Sequence, residues 1–206
     1  MVTAAPPAWA ALMAARPDLA VDPLVAGWAD AGRPLVARRA AEGDPPHLTP
    51  LGLPLPPAQG KRRIAVTLAP ADVADADGPP LLADAAAAAP AGWRDSIARL
   101  VALDPLTRVF GSLAWQHLTG LPYLSAGSDL DLLWRLPPGD EMDALLAGIA
   151  AIARDAPMRI DGEITGAVGG VQWRELAESG VGDIAVKGLH EISLMSRAEF
   201  LAGGAE

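Results

Sequence analysis

Between Ser128 and Asp155 the hydrophobic period of the chain changes once, within three residues. SDLDLLWRL sets Leu130, Leu132, Trp134 and Leu136 at every second position, the period of a strand with one buried face. Pro137-Pro138-Gly139 ends it. DEMDALLAGIAAIARD then places Met142, Leu145, Leu146, Ile149 and Ile152 on one helical face, with acids in the first turn and Arg154 near the last. A strand that gives way so quickly to an amphipathic helix has to pack that helix against a sheet. The same texture continues on both sides. AGWRDSIARLVAL carries Trp93, Ile97, Leu100 and Val101 at helical spacing, TRVF reads as a short strand, and SLAWQHLTG as a helix closed by Gly120. Downstream, APMRIDGEI reads as a strand, TGAVGG as a turn, WRELAES as a short helix, VGDIAVKG and EISLM as strands. SRAEFLAG reads as a last helix capped by Ser196.

The first part of the chain has another texture. From about residue 27 to 70, short runs such as RPLVARR and RIAVTLA are separated by LTPLGLPLPPAQGKRR, whose prolines argue against a central strand in PLGLPLPP. ADVADADGPPLLADAAAAAP reads as an acidic, alanine-rich linker with a helical turn; Asp72, Asp75 and Asp77 lack the spacing of a calcium loop. The expectation is an α+β chain with a small β-rich domain over 1–80 and a second domain over 81–206.

Composition restricts the function. A net charge of −9 disfavours a nonspecific nucleic-acid binder, leaving Arg38-Arg39 and Lys61-Arg62-Arg63 as local basic clusters for an anionic ligand. Without cysteine there are no disulfides and no thiolate metal sites. His47, His117 and His190 are too scattered in sequence for a zinc cluster. The N-terminus has no basic residue ahead of its apolar run and carries Pro6-Pro7, unlike a signal peptide. The longest uncharged stretch, Val109 to Ser128, holds too many polar residues to span a bilayer. A soluble cytoplasmic protein, with no membrane and no nucleic-acid partner, is expected.

The chemistry concentrates between Gly111 and Glu163. On a strand Asp129 and Asp131 share a face about 6–7 Å apart, and their repulsion is relieved by a cation. Gly111-Ser112 lies between a strand and a helix, where backbone N–H groups and the helix dipole receive phosphate. A third acid comes from RIDGEI, where Asp161 and Glu163 share a face; Asp161 is preferred because Gly162 would let the backbone approach a ligand. Carboxylates of this kind are hard oxygen ligands suited to Mg²⁺.

A Gly-Ser turn, a helix, a strand with Asp-x-Asp and a later strand with an acid resemble the nucleotidyltransferase (polymerase-β-like) superfamily. The longer run GSLAWQHLTGLPYLSAGSDLDLLW, followed by RIDGEI and WREL, resembles more closely the phosphoribosyl-dephospho-CoA transferases of malonate decarboxylase, its holo-acyl-carrier-protein synthases. RPLVARR, LGLPLPP and KRRIAV fit the same resemblance, which covers about residues 25 to 195. It implies a catalytic domain with a mixed sheet flanked by helices; the domain before it, with short strands, basic runs and no paired acids near a Gly-Ser turn, is expected to serve recognition. It also implies a reaction, in which 2′-(5″-triphosphoribosyl)-3′-dephospho-CoA is joined to a serine of the apo acyl carrier subunit and diphosphate is released. Asp129, Asp131 and Asp161 would hold Mg²⁺ and carry the chemistry, with Asp161 a candidate base. Gly111 and Ser112 would hold the diphosphate, and Arg135 or Lys187 would meet charge on the transferring group. The alternatives are a nucleotidyltransferase with another hydroxyl acceptor, a metal-dependent glycosyltransferase, and a non-catalytic binding module of the same fold.

Overall fold

The computed structural model describes residues 1–138, 141–178, 182–188 and 191–203. It divides into two compact units, Met1–Gly78 with Leu118–Pro122, and Pro79–His117 with Tyr123–Glu206.

The first unit contains β1 (Val2–Ala4), α1 (Pro6–Ala15), α2 (Pro17–Ala20), α3 (Pro23–Ala26), β2 (Val36–Ala37), β3 (Thr49–Pro54), β4 (Arg63–Leu68) and β5 (Val73–Ala76). Each of its three helices begins on a proline, whose fixed φ suits the first turn and whose missing N–H would have had no partner there. The buried indoles of Trp9 and Trp28 donate to Val25 O and Pro34 O, at 2.9 and 3.0 Å. β1 pairs with β5, so part of the acidic stretch expected to be a linker is a strand.

The second correction concerns the prolines. β3 lies between β2 and β4, a central strand in the segment where proline argued against one. Along an antiparallel strand, successive residues turn their N–H and C=O groups to opposite neighbours. Leu55 N donates to Arg62 O, on the β4 side, whereas Pro50 O accepts from Arg38 N, on the β2 side. Pro50 and Pro54 therefore both turn their missing N–H toward β2, which is only two residues long. The β3–β4 ladder keeps its donors.

The second unit runs α4 (Leu82–Ala85), α5 (Arg94–Leu103), β6 (Arg108–Val109), α6 (Gly111–Thr119), β7 (Leu130–Arg135), α7 (Glu141–Asp155) and β8 (Ile160–Gly166). It continues through β9 (Gly169–Gln172), α8 (Trp173–Ala177), β10 (Asp183–Lys187), β11 (Ile192–Ser196) and α9 (Arg197–Ala202). The strands form one mixed sheet in the order β11-β10-β9-β8-β7-β6. Only β7 and β8 are parallel, joined by the α7 crossover; every other neighbouring pair is antiparallel. β9 falls where the sequence suggested only a turn. Ser196 caps α9 in a reciprocal capping box with Glu199.

One face of this sheet carries the core. Leu130, Leu132, Trp134, Ile160, Ile164, Val171, Ile184 and Val186 are buried together with Ile97 and Leu100 of α5, Leu113 of α6, Ile149 of α7, Trp173 of α8 and Phe200 of α9. Strand alternation sends Asp131, Asp161 and Glu163 to the opposite face. β11 is an outer strand, and its Ile192 and Leu194 are 62% and 71% exposed.

Candidate active site

β7 and β8 run in parallel with Asp131 directly opposite Asp161, Leu133 opposite Glu163 and Arg135 opposite Thr165. Register alone thus brings two acids from distant segments side by side, and Asp129 stands just ahead of the first residue of β7. Asp131 is pushed up from the usual 3.8 to about 6, first by burial, then by the charges of Asp161 and Asp129, with Arg159 pulling the other way.

The Gly-Ser turn closes on this pair. Phe110 N donates to Asp131 O at 3.0 Å, fixing the turn against β7. Gly111 opens α6 at φ +63°, and a Cβ there would overlap Asp131 Oδ2. Only glycine satisfies both the backbone conformation and the contact. Ser112 follows as the second residue of α6. The long segment from α6 to β7 is held by Gln116, whose Oε1 accepts from Tyr123 N and Leu124 N, at 3.2 and 3.1 Å, while its Nε2 donates to Ala88 O at 2.8 Å.

Asp161 is held by several donors. Arg159 Nη2 donates to Oδ2 at 2.7 Å and Gly162 N to Oδ1 at 3.1 Å. The Gln172 amide faces two acceptor oxygens, so only its nitrogen can be turned toward them. So oriented, it donates to Gly162 O at 2.7 Å and to Asp161 Oδ1 at 3.1 Å. Gly162 does not serve a ligand, as its position in the sequence suggested. It faces the core, and a Cβ there would stand 2.5 Å from Leu132 O and 2.7 Å from Trp134 Cζ3.

The two cations expected at the site fall differently. Lys187 Nζ lies 2.6 Å from Glu163 Oε1, an ion pair on the acidic face. Gly170, beside it in the sheet, leaves room for that carboxylate: a Cβ would be 2.9 Å from Glu163 Oε2. Arg135 is exposed, four residues along β7 from Asp131, roughly 13 Å at strand rise. The structure does not bring it to the acids. Arg159 and Gln172 are the residues that sequence reasoning missed. Arg159 was within reach, two positions before Asp161; Gln172 was not, because its place depends on the pairing of β9 with β8.

The carboxylates fit a divalent cation in chemistry, being hard oxygen donors of which two, Asp161 and Asp129, help to raise the proton affinity of the third, Asp131. Among the described residues no three acidic or histidine side chains already form a ready-made ligand set, and Asp161 is engaged by Arg159. In the first unit, Arg38 is tied to Asp44 by two hydrogen bonds of 2.6 and 2.8 Å, and Arg62 to Asp22 at 3.2 Å. His47 and His117 are exposed, and His190 lies outside the described residues. Among the described residues no helix is long and apolar enough to cross a membrane.

An acid pair set by parallel register beside a glycine-opened helix is an arrangement suited to group transfer at phosphate. Comparison with known proteins is more specific. Residues 2–79 match the family described as phosphoribosyl-dephospho-CoA transferase MdcG N-terminal domain, and residues 81–198 its C-terminal domain. A phosphoribosyl-dephospho-CoA transferase of Bradyrhizobium diazoefficiens is 40% identical over 98% of this chain and 91% of its own length. Proteins of the same description from Xanthomonas campestris pv. campestris and Xanthomonas euvesicatoria pv. vesicatoria are 38% and 36% identical, over 75% and 85% of this chain and 75% and 84% of their own lengths. The chain belongs to the phosphoribosyl-dephospho-CoA transferase family. No solved structure matches it.

Proposed function

We propose that this chain transfers the phosphoribosyl-dephospho-CoA group from 2′-(5″-triphosphoribosyl)-3′-dephospho-CoA to a serine hydroxyl of the apo acyl carrier subunit of malonate decarboxylase, as a cytoplasmic nucleotidyltransferase. The observation that carries this reading is the Asp131–Asp161 pairing across parallel strands, closed on one side by Gly111. Family membership supports the donor substrate. In the reaction the serine oxygen forms a bond to the α-phosphorus, the bond from that phosphorus to the β-phosphate bridge breaks, and diphosphate leaves.

Asp129, Asp131 and Asp161 are the residues that would hold Mg²⁺, which when bound supplies positive charge to offset the triphosphate. Gly111 and Ser112 present the first N–H groups of α6 to the departing diphosphate. Asp161 accepts the serine proton at Oδ2, the oxygen whose only donor among the described residues is the exposed Arg159. Arg159 balances the acids in the free protein and, paired with Asp161, would meet charge on the transferring group, a role the sequence suggested for Arg135 or Lys187. Lys187 stays with Glu163 and shapes the neighbouring floor of the site. The first unit carries the recognition role, with the carrier protein as partner.

The test is incubation of the full chain with purified apo carrier subunit, the triphosphate precursor and Mg²⁺, followed by the mass of the carrier. The carrier is expected to gain one phosphoribosyl-dephospho-CoA group. Asp131→Asn is expected to remain folded and to lose turnover by orders of magnitude. No mass gain with the unaltered chain, or Asp131→Asn within a few-fold of it, would overturn the assignment.

A further inference from the structure

Gln172 ends β9 and stands at the N-cap position of α8, yet its side chain makes no capping hydrogen bond there. Side chains that cap a helix are short, as in serine or aspartate. The longer glutamine carries its amide past the helix and across to β8. There it bridges Gly162 O and Asp161 Oδ1, at 2.7 and 3.1 Å, and Gly162 N adds a second donor to the same carboxylate oxygen, at 3.1 Å.

We infer that Gln172 is a positioning residue for Asp161, which it clamps by one oxygen so that the other is free to exchange partners. An aspartate χ2 torsion is broad and only roughly two-fold, so an untethered carboxylate would rotate. Oδ1 is held by two donors from within the sheet. Among the described residues Oδ2 is held by Arg159 alone, whose side chain is 59% exposed and can release it. The two ends of the carboxylate thus differ in function, one fixed and one available. Displacing a catalytic group by about 1 Å can lower rate by about 10²-fold, which sets the scale of the effect.

The inference rests on the transferase reading for its kinetic consequence, but not for its geometry. The test compares the unaltered chain with Gln172→Met, of similar length but without a donor, with Asp161→Asn, and with the double variant. In the carrier-modification assay, Gln172→Met is expected to lower kcat by about 10- to 100-fold, leaving KM for the precursor within about two-fold. The double variant should be no slower than Asp161→Asn, because Gln172 acts through that side chain. A crystal structure of Gln172→Met should show the Asp161 carboxylate rotated away from its contact with Gly162 N. An unmoved carboxylate overturns the inference whatever the activity, and so does a double variant slowed by the full product of the single effects. If the unaltered chain modifies no carrier, the transferase reading fails, and the crystal structure still decides whether Gln172 holds Asp161.

Discussion

Asp131 shows how burial and neighbouring charge act on one residue. Its carboxyl is raised to about 6, so the fold favours the neutral form and is penalised when the side chain ionises. The sign is the reverse of a salt-bridged aspartate. The penalty is absent well below 3.8, grows as pH rises through about 6, and is constant above that. Asparagine is neutral throughout and escapes it. Without divalent cation, Asp131→Asn is therefore expected to melt higher than the unaltered chain at pH 8, and the gap should close as pH falls toward 4. A variant that melts lower at pH 8 would mean that Asp131 is held by favourable contacts. The acids themselves were legible in the sequence, because alternation along a strand fixes which residues share a face. That Asp131 pairs with Asp161 and Leu133 with Glu163 was not, since register between distant strands has no local signature. Gln172 was less legible still. A glutamine one residue beyond two glycines gives no hint that it will lie beside an aspartate eleven residues earlier.

Elements were read well where the period was long and clean. α7 and β7 appear where their patterns place them, ended by Pro137 and Pro138 between them. Readings failed where an element depends on its neighbours. β5 and β9 are short and acquire strand character from β1 and β8, and β3 tolerates its prolines because β2 is short. Gly162 is the same lesson inside one strand. Its place next to an acid suggested room for a ligand, whereas its missing side chain makes room for Leu132 O and the Trp134 ring. Gly162→Ala is expected to cost about 1–3 kcal/mol, as overpacking does. In urea this should appear as a lower midpoint with an unchanged slope. A midpoint equal to that of the unaltered chain would show that the β7–β8 pair yields without strain.

At the scale of the whole molecule, the chain divides into two units of different texture, and composition announced that difference more plainly than it announced their contents. The first unit was expected to be β-rich, yet α1, α2 and α3 take up most of residues 6–26, each started by a proline that reads more readily as a breaker. No signal in the sequence assigns Leu118–Pro122 to that unit. The outer strand β11 has a consequence for how copies of the molecule behave toward one another. Its exposed Ile192 and Leu194 flank backbone groups at the edge of a sheet, the kind of surface on which a second strand can be laid. At low ionic strength the net charge of −9 keeps copies apart. At about 1 M salt that repulsion reaches only about 3 Å, and the edge meets its neighbours unprotected. Light scattering is therefore expected to rise with salt, and Leu194→Lys, which places a charge on the strand itself, to suppress the rise while leaving the thermal transition in place. Colloidal stability would then depend on the solvent more than on the fold, and dilute buffer would be the medium in which the chain stays dispersed.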